Sequence, residues 1–128
     1  MATLKNILFA DNPSRTLFEQ KELSKFGDVF VVDSVPSLID RLSEREYSVA
    51  IVDPLELTIG AYMSLLSVHE RVRDVVVRIR DYDIPVIFAT NSISADVFGL
   101  KQGEHYQTEH VKPYNMTQLV QQLETLRR

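Results

Sequence analysis

Four short, almost wholly apolar runs constrain this chain most: Asn6-Ile7-Leu8-Phe9-Ala10, Val29-Phe30-Val31-Val32, Val49-Ala50-Ile51-Val52 and Val86-Ile87-Phe88-Ala89. Each has the length of a strand. Apolar character that is continuous, and does not alternate, belongs to strands covered on both faces, as in a parallel sheet. The segments between them read as helices. Asn12-Pro13-Ser14 opens the first, with Leu17, Phe18 and Leu23 as its expected inner face and Gly27 as its stop. Pro36 starts a second, with Leu38, Ile39 and Leu42 on one side. Leu65, Val68, Val72, Val75 or Val76, and Ile79 recur at helical spacing and predict a long third helix, with Arg71, Arg73, Asp74, Arg78 and Arg80 on its polar side. A short helix around Ser94–Lys101, a weaker strand near Glu109–Val111 and a last helix complete the pattern. Asn115 is placed to cap that last helix, and Met116, Leu119, Val120, Leu123 and Leu126 form its stripe.

Five β-α units in succession predict an α/β fold: a doubly wound, five-stranded parallel sheet flanked by five helices, in one domain spanning residues 1–128. An apolar share of 45% suffices for a core of this size. The chain has no cysteine, which excludes disulfides, thiol catalysis and thiolate metal sites. A net charge of −4 argues against nucleic acid or an anionic membrane surface as partner. No apolar run reaches the length of a membrane span, and Met1-Ala2-Thr3-Leu4-Lys5-Asn6 lacks a secretory pattern, so a cytoplasmic protein is expected.

In sheets of this kind the site lies beyond the carboxyl ends of the strands. The residues there are Asp11, Asp53, Thr90 and, just past the fifth strand, Lys112. A carboxylate can take a phosphoryl group as a nucleophile, giving an acyl phosphate. A second acid can hold a hard divalent cation, a lysine offsets phosphoryl charge, and a hydroxyl can donate to a phosphoryl oxygen. Each residue also has a plainer role open to it: Asp11 or Asn12 can cap the first helix, Asp53 can serve the turn at Pro54, and Thr90 can finish a strand. His69, His105 and His110 have no metal-ligand spacing and are expected at the surface or in loops. Without a glycine-rich phosphate loop, nucleotide binding has no support.

Ile7-Leu8-Phe9-Ala10-Asp11-Asn12, Ile51-Val52-Asp53, Ile87-Phe88-Ala89-Thr90 and Val111-Lys112-Pro113-Tyr114 together resemble, in order, the four signatures of the receiver domains of two-component response regulators. The resemblance covers nearly the whole chain. It implies the CheY-like (flavodoxin-like) strand order 2-1-3-4-5. It implies phosphorylation of Asp53 by a histidine kinase or phosphotransfer protein, with Thr90 and Lys112 sensing the product. Magnesium would be held by Asp11, Asn12 and Asp53. The chain would be a stand-alone signalling module, not an enzyme, and would pass its state to a downstream protein partner. The pattern departs from the family in four places, one of them Pro54-Leu55-Glu56-Leu57 after Asp53, which lacks the usual Met-Pro pair. Asn12 stands where a second acid is usual, so magnesium should bind more weakly. Glu109 stands at the usual aromatic switch position, with Tyr106 nearby. The stretch from Asp53 to Thr90 is long, and its apolar stripe suggests a homodimer. A degenerate receiver that binds partners without phosphorylation is the alternative. A phosphatase of the haloacid dehalogenase type would need an aspartate where Pro13 stands.

Overall fold

A computed structural model describes residues 6–58, 65–91 and 93–126. Five strands form one sheet: β1 (Asn6–Ala10), β2 (Asp28–Val32), β3 (Val49–Val52), β4 (Val86–Thr90) and β5 (Thr108–Val111). Their order is β2-β1-β3-β4-β5 and every pairing is parallel. The central strands β3 and β4 are buried throughout, as their continuous apolar runs require, whereas the edge strands β2 and β5 are only partly covered. The helices are α1 (Leu17–Leu23), α2 (Val35–Glu44), α3 (Pro54–Thr58), α4 (Leu65–Asp81) and α5 (Met116–Leu126), with a 3-10 helix at Ala95–Phe98.

Strand alternation sends side chains to two cores. Leu8, Ala10, Ala50, Val52, Val86 and Phe88 face α2, α3, α4 and the 3-10 helix. Ile7, Phe9, Val49, Ile51, Ile87 and Ala89 face α1 and α5, where Leu23, Leu119 and Leu123 meet them. Ser34 caps α2 by accepting from Ser37 N at 3.2 Å, and Asn115 caps α5 by accepting from Gln118 N at 3.0 Å.

Several local expectations need correction. Leu17 and Phe18 do not line the inner face of α1; they are 67% and 62% exposed, and only Leu23 is buried. At 3.6 residues per turn they sit roughly 120° and 140° around the helix from Leu23. The helix also ends at Leu23, before Gly27, because Ser24, Lys25 and Phe26 close it with turn hydrogen bonds. On α2, Leu38 and Leu42 are buried with Val35 against them, while Ile39 turns outward. The expected helix at Ser94–Lys101 is a four-residue 3-10 turn stopped by Gly99 at φ 74°. His110, expected at the surface or in a loop, lies in β5 and is buried.

The long helix is observed as α4; residues 59–64 and the Leu65 side chain lie outside the described residues. Its stripe does not need a second copy of the chain for cover. Val72, Val75, Val76 and Ile79 are buried inside the domain, and Val68 packs against the same core. Part of its arginine face bonds to neighbouring backbone: Arg73 donates to Phe98 O and Gly99 O at 3.1 and 2.7 Å, and Arg80 to Ile84 O at 3.0 Å. No helix among the described residues is long and apolar enough to cross a membrane.

These placements predict a sharp contrast in urea unfolding. Ile79→Ala should cost about 2–5 kcal/mol, because the site is fully buried in a packed core. Phe18→Ala should change stability by no more than roughly 0.5 kcal/mol. Comparable losses from the two would show that the assignment of faces is wrong.

Candidate functional site

Asp11 follows β1 and Asp53 follows β3. These two strands are neighbours in register, with Ala10 opposite Val52, so the two carboxylates emerge side by side. Asp53 N–H donates to Ala10 O at 2.8 Å and fixes that juxtaposition. Lys112 follows β5, two strands away, and its N–H donates to Thr90 O at 2.8 Å. Its ammonium reaches back across β4 and donates to Asp11 Oδ2 at 2.9 Å and to Asp53 Oδ2 at 2.8 Å. The two aspartates are 1% and 4% exposed. The Lys112–Pro113 peptide is cis.

Other partners orient the acids. Asp11 Oδ2 also accepts from Tyr114 OH at 2.7 Å, and its Oδ1 accepts from Asn12 N at 2.6 Å. Asp53 Oδ1 accepts from Glu56 N at 3.1 Å, which caps the first turn of α3. Behind Tyr114 lies His110, its ring stacked at 5.4 Å. Its Nε2 accepts from Asn115 N at 3.1 Å while Nδ1 faces Gln122 Oε1 at 2.8 Å, so the neutral ring carries its proton on Nδ1. Asp11, Lys112 and Tyr114 open onto a cleft of about 290 Å³ that is also lined by Arg15, Thr16, Glu19, Glu56, Asn91 and Pro113.

One ammonium shared between two buried carboxylates sets the electrostatics. Burial pushes the Asp53 carboxyl up; the hydrogen bond and charge of Lys112 and the Glu56 amide pull it back, and Asp11 adds to the rise. Burial alone would lower Lys112, but Asp53 and Asp11 outweigh it and the net shift is upward. The directions agree: the lysine sees two anions, whereas Asp53 sees half a cation and another anion. Burial first, and Asp11 next, also raise the Tyr114 phenol, so it stays a hydrogen-bond donor.

Asp11, Asp53 and Lys112 are therefore brought together. Thr90 lies at the same edge, but its hydroxyl donates to Ile93 O at 2.5 Å and is turned toward the following loop. The Asn12 amide oxygen does not cap α1, whose N-cap position is Thr16, but is taken up by the preceding turn, accepting from Ser14 N, Ser14 Oγ and Arg15 N at 3.0, 2.8 and 3.2 Å. Glu109 points to the 3-10 helix, where its Oε1 accepts from Ala95 N at 2.8 Å and Ser94 Oγ at 3.1 Å. Sequence reasoning missed Glu56 and Tyr114. Carboxylate oxygens of Asp11, Asp53 and Glu56 lie within 4.8 Å of one another. The available signal was spacing: Glu56 is three residues after Asp53 on a helix start, which brings it back to the same side. Such an all-oxygen donor set suits magnesium, a hard cation.

No protein-family model matches the sequence, and comparison with curated proteins finds no match either. Solved structures do match in fold. A response regulator from Thermotoga maritima superposes with a TM-score of 0.73 at 14% identity, covering 95% of this chain and 96% of that one. Chemotaxis protein CheY4 of Vibrio cholerae gives 0.70 at 17% identity, covering 97% and 99%. The receiver domain of a sensor histidine kinase from Pseudomonas aeruginosa, which has a magnesium ion coordinated in its active site cleft, gives 0.69 at 13% identity and 98% of both chains. The chain thus has the receiver fold, with strand order 2-1-3-4-5.

The raised Asp53 carboxyl has a consequence for stability. The folded chain holds this proton more tightly than the unfolded one, so ionising Asp53 costs stability as pH rises from its ordinary value of 3.8 through the raised folded value. Lys112 acts outside that window: its contribution is present below its ordinary 10.5 and is lost only as pH rises through the higher folded value. Asp53→Asn should therefore gain stability relative to the parent as pH climbs from acid to neutral. Urea unfolding at a series of pH values tests this, and a gap that moves the other way rules it out.

Proposed function

We propose that the chain is a phosphoacceptor receiver in a phosphorelay, with Asp53 as the residue that takes the phosphoryl group. The observation that carries this reading is the Lys112 ammonium held between the carboxylates of Asp11 and Asp53 at the carboxyl edge of a receiver-fold sheet. An Asp53 oxygen attacks phosphorus, the bond from phosphorus to the donor's histidine nitrogen breaks, and its electron pair returns to the imidazole. The product is an acyl phosphate on Asp53. Lys112 is placed to follow the charge from the carboxylates to the phosphoryl oxygens, and the Tyr114 hydroxyl keeps Asp11 oriented while it does so. Thr90 would exchange Ile93 O for a phosphoryl oxygen, freeing the loop that leads to the 3-10 helix.

A magnesium ion, as in the cleft of the Pseudomonas aeruginosa receiver, would offset phosphoryl charge when bound. Asp11 and Asp53 are the acids of the notch that would face it. The donor is a histidine kinase or phosphotransfer protein in the cytoplasm, and a downstream protein reads the altered surface. The chain turns over no substrate of its own.

Incubation with acetyl phosphate and magnesium, followed by intact mass spectrometry, should show one added phosphoryl group, labile to base as an acyl phosphate is. Asp53→Asn should remove it entirely. A chain that stays unlabelled at saturating magnesium, by small donors and by kinases alike, is instead a phosphorylation-independent binding module. The Glu109 carboxylate at the usual aromatic position would then belong to a fixed surface.

A further inference from the structure

We infer that Glu56 supplies the third carboxylate of the divalent-cation site, replacing the acid that residue 12 does not provide. This rests on the receiver reading above and goes beyond it by assigning the ligand set. The argument starts with Asn12. Its amide oxygen already accepts three hydrogen bonds from the turn at Ser14 and Arg15. Turning it toward a cation would leave those donors without a partner. Its amide nitrogen points instead at Glu56, donating to Oε1 at 3.4 Å. That contact places the Glu56 carboxylate on the site's side of Asn12, and a neutral amide, not a competing anion, adjoins it.

Local structure fixes Glu56 there. It lies on the first turn of α3, and its own N–H donates to Asp53 Oδ1 at 3.1 Å. The turn that orients Asp53 therefore also carries Glu56. Among the described residues Asp11 and Asp53 share Lys112, whereas Glu56 meets no cation. Its side chain is half-buried and lines the cleft from which an ion would enter. Three carboxylates against one ammonium leave two negative charges, the complement of a divalent ion. Like charges held this close repel strongly at low dielectric, and a cation is what removes the repulsion. Moving the acid from residue 12 to residue 56 conserves that charge balance, so Asn12 need not weaken magnesium binding as the sequence alone suggests.

The test is calorimetric titration of the unphosphorylated chain with magnesium chloride, with no phosphodonor present. Glu56→Gln keeps the shape of the side chain and should weaken binding on the order of tenfold or more, as loss of a charged ligand does. Adding Asn12→Asp to that variant should recover most of the affinity, because the acid is then returned to the other side of the same site. Asn12→Asp alone should shift the constant less than Glu56→Gln does, and recovery of affinity in the double variant separates loss of a ligand from loss of fold. An unchanged constant in Glu56→Gln, a larger effect from Asn12→Asp alone, or no magnesium binding by the parent chain each overturns the inference. Binding through Glu56 without labelling of Asp53 sinks only the phosphoacceptor reading. Labelling with an unchanged constant in Glu56→Gln sinks only this one.

Discussion

The Lys112 ammonium between Asp11 and Asp53 is the contact on which the rest of the site depends. It joins residues 101 and 59 positions apart in the chain, and it spans the ends of β1, β3 and β5. Its geometry is a product of sheet order and register: β1 and β3 are neighbours, and β4 lies between β3 and β5. A lysine side chain has the reach to cross that gap. Buried ion pairs add little net stability once desolvation is counted, yet removing one partner leaves an uncompensated charge and costs on the order of 3–5 kcal/mol. The arrangement therefore acts mainly on position. It holds two carboxyl groups side by side in a buried place with one ammonium beside them.

Around that contact the polar groups are tied in two directions. On one side Tyr114, His110, Gln122 and Asn115 form a chain of hydrogen bonds and ring contacts that links Asp11 to the start of α5. Gln122 completes it by donating to Thr108 Oγ1 and Glu109 O at 3.0 and 2.7 Å, which pins β5 against α5. On the other side Thr90 holds Ile93 O, and Glu109 holds Ser94 and Ala95. The loop after β4 is thus fastened to β4 and β5 at once. Arg73 of α4 fastens the far end of the same segment through Phe98 O and Gly99 O. A short 3-10 turn stands where a longer helix was expected, and these side-chain bonds stabilise it in place of a full set of helical backbone bonds.

Much of the architecture was legible because buried parallel strands have a distinctive composition. Ile7–Ala10, Val49–Val52 and Val86–Ala89 are continuous apolar runs, and nothing but a doubly covered sheet accommodates several of them separated by helices. Asp11, Asp53 and Lys112 were legible for the same reason: once strand ends are known, the first polar residue beyond each is on the carboxyl edge of the sheet. The errors were of another kind. Leu17 and Phe18 are apolar and adjacent to a helix start, so composition placed them inside. Only the angular position of Leu23 around α1 shows that they point away. His110 was read as a surface residue because histidine is usually polar and accessible. Burial is tolerated here because Asn115 N and Gln122 Oε1 satisfy both ring nitrogens.

The sequence by itself determined where the strands lie, that they run parallel, and which acids and which lysine stand at their ends. Those properties follow from local composition and from the pitch of strand and helix, which a linear pattern contains. Tertiary structure alone decided which side chains meet. The α4 stripe looked too long for one sheet, yet it is covered inside the domain, because the core on that face also includes α2, α3 and the 3-10 helix. Asn12 and Glu56 are 44 residues apart, and although each has a local role open to it, nothing local shows that the amide of one meets the carboxylate of the other. That assignment depends on hydrogen-bond partners brought together by the β1–β3 pairing. Partners of that kind are a property of the folded chain and not of any segment of it.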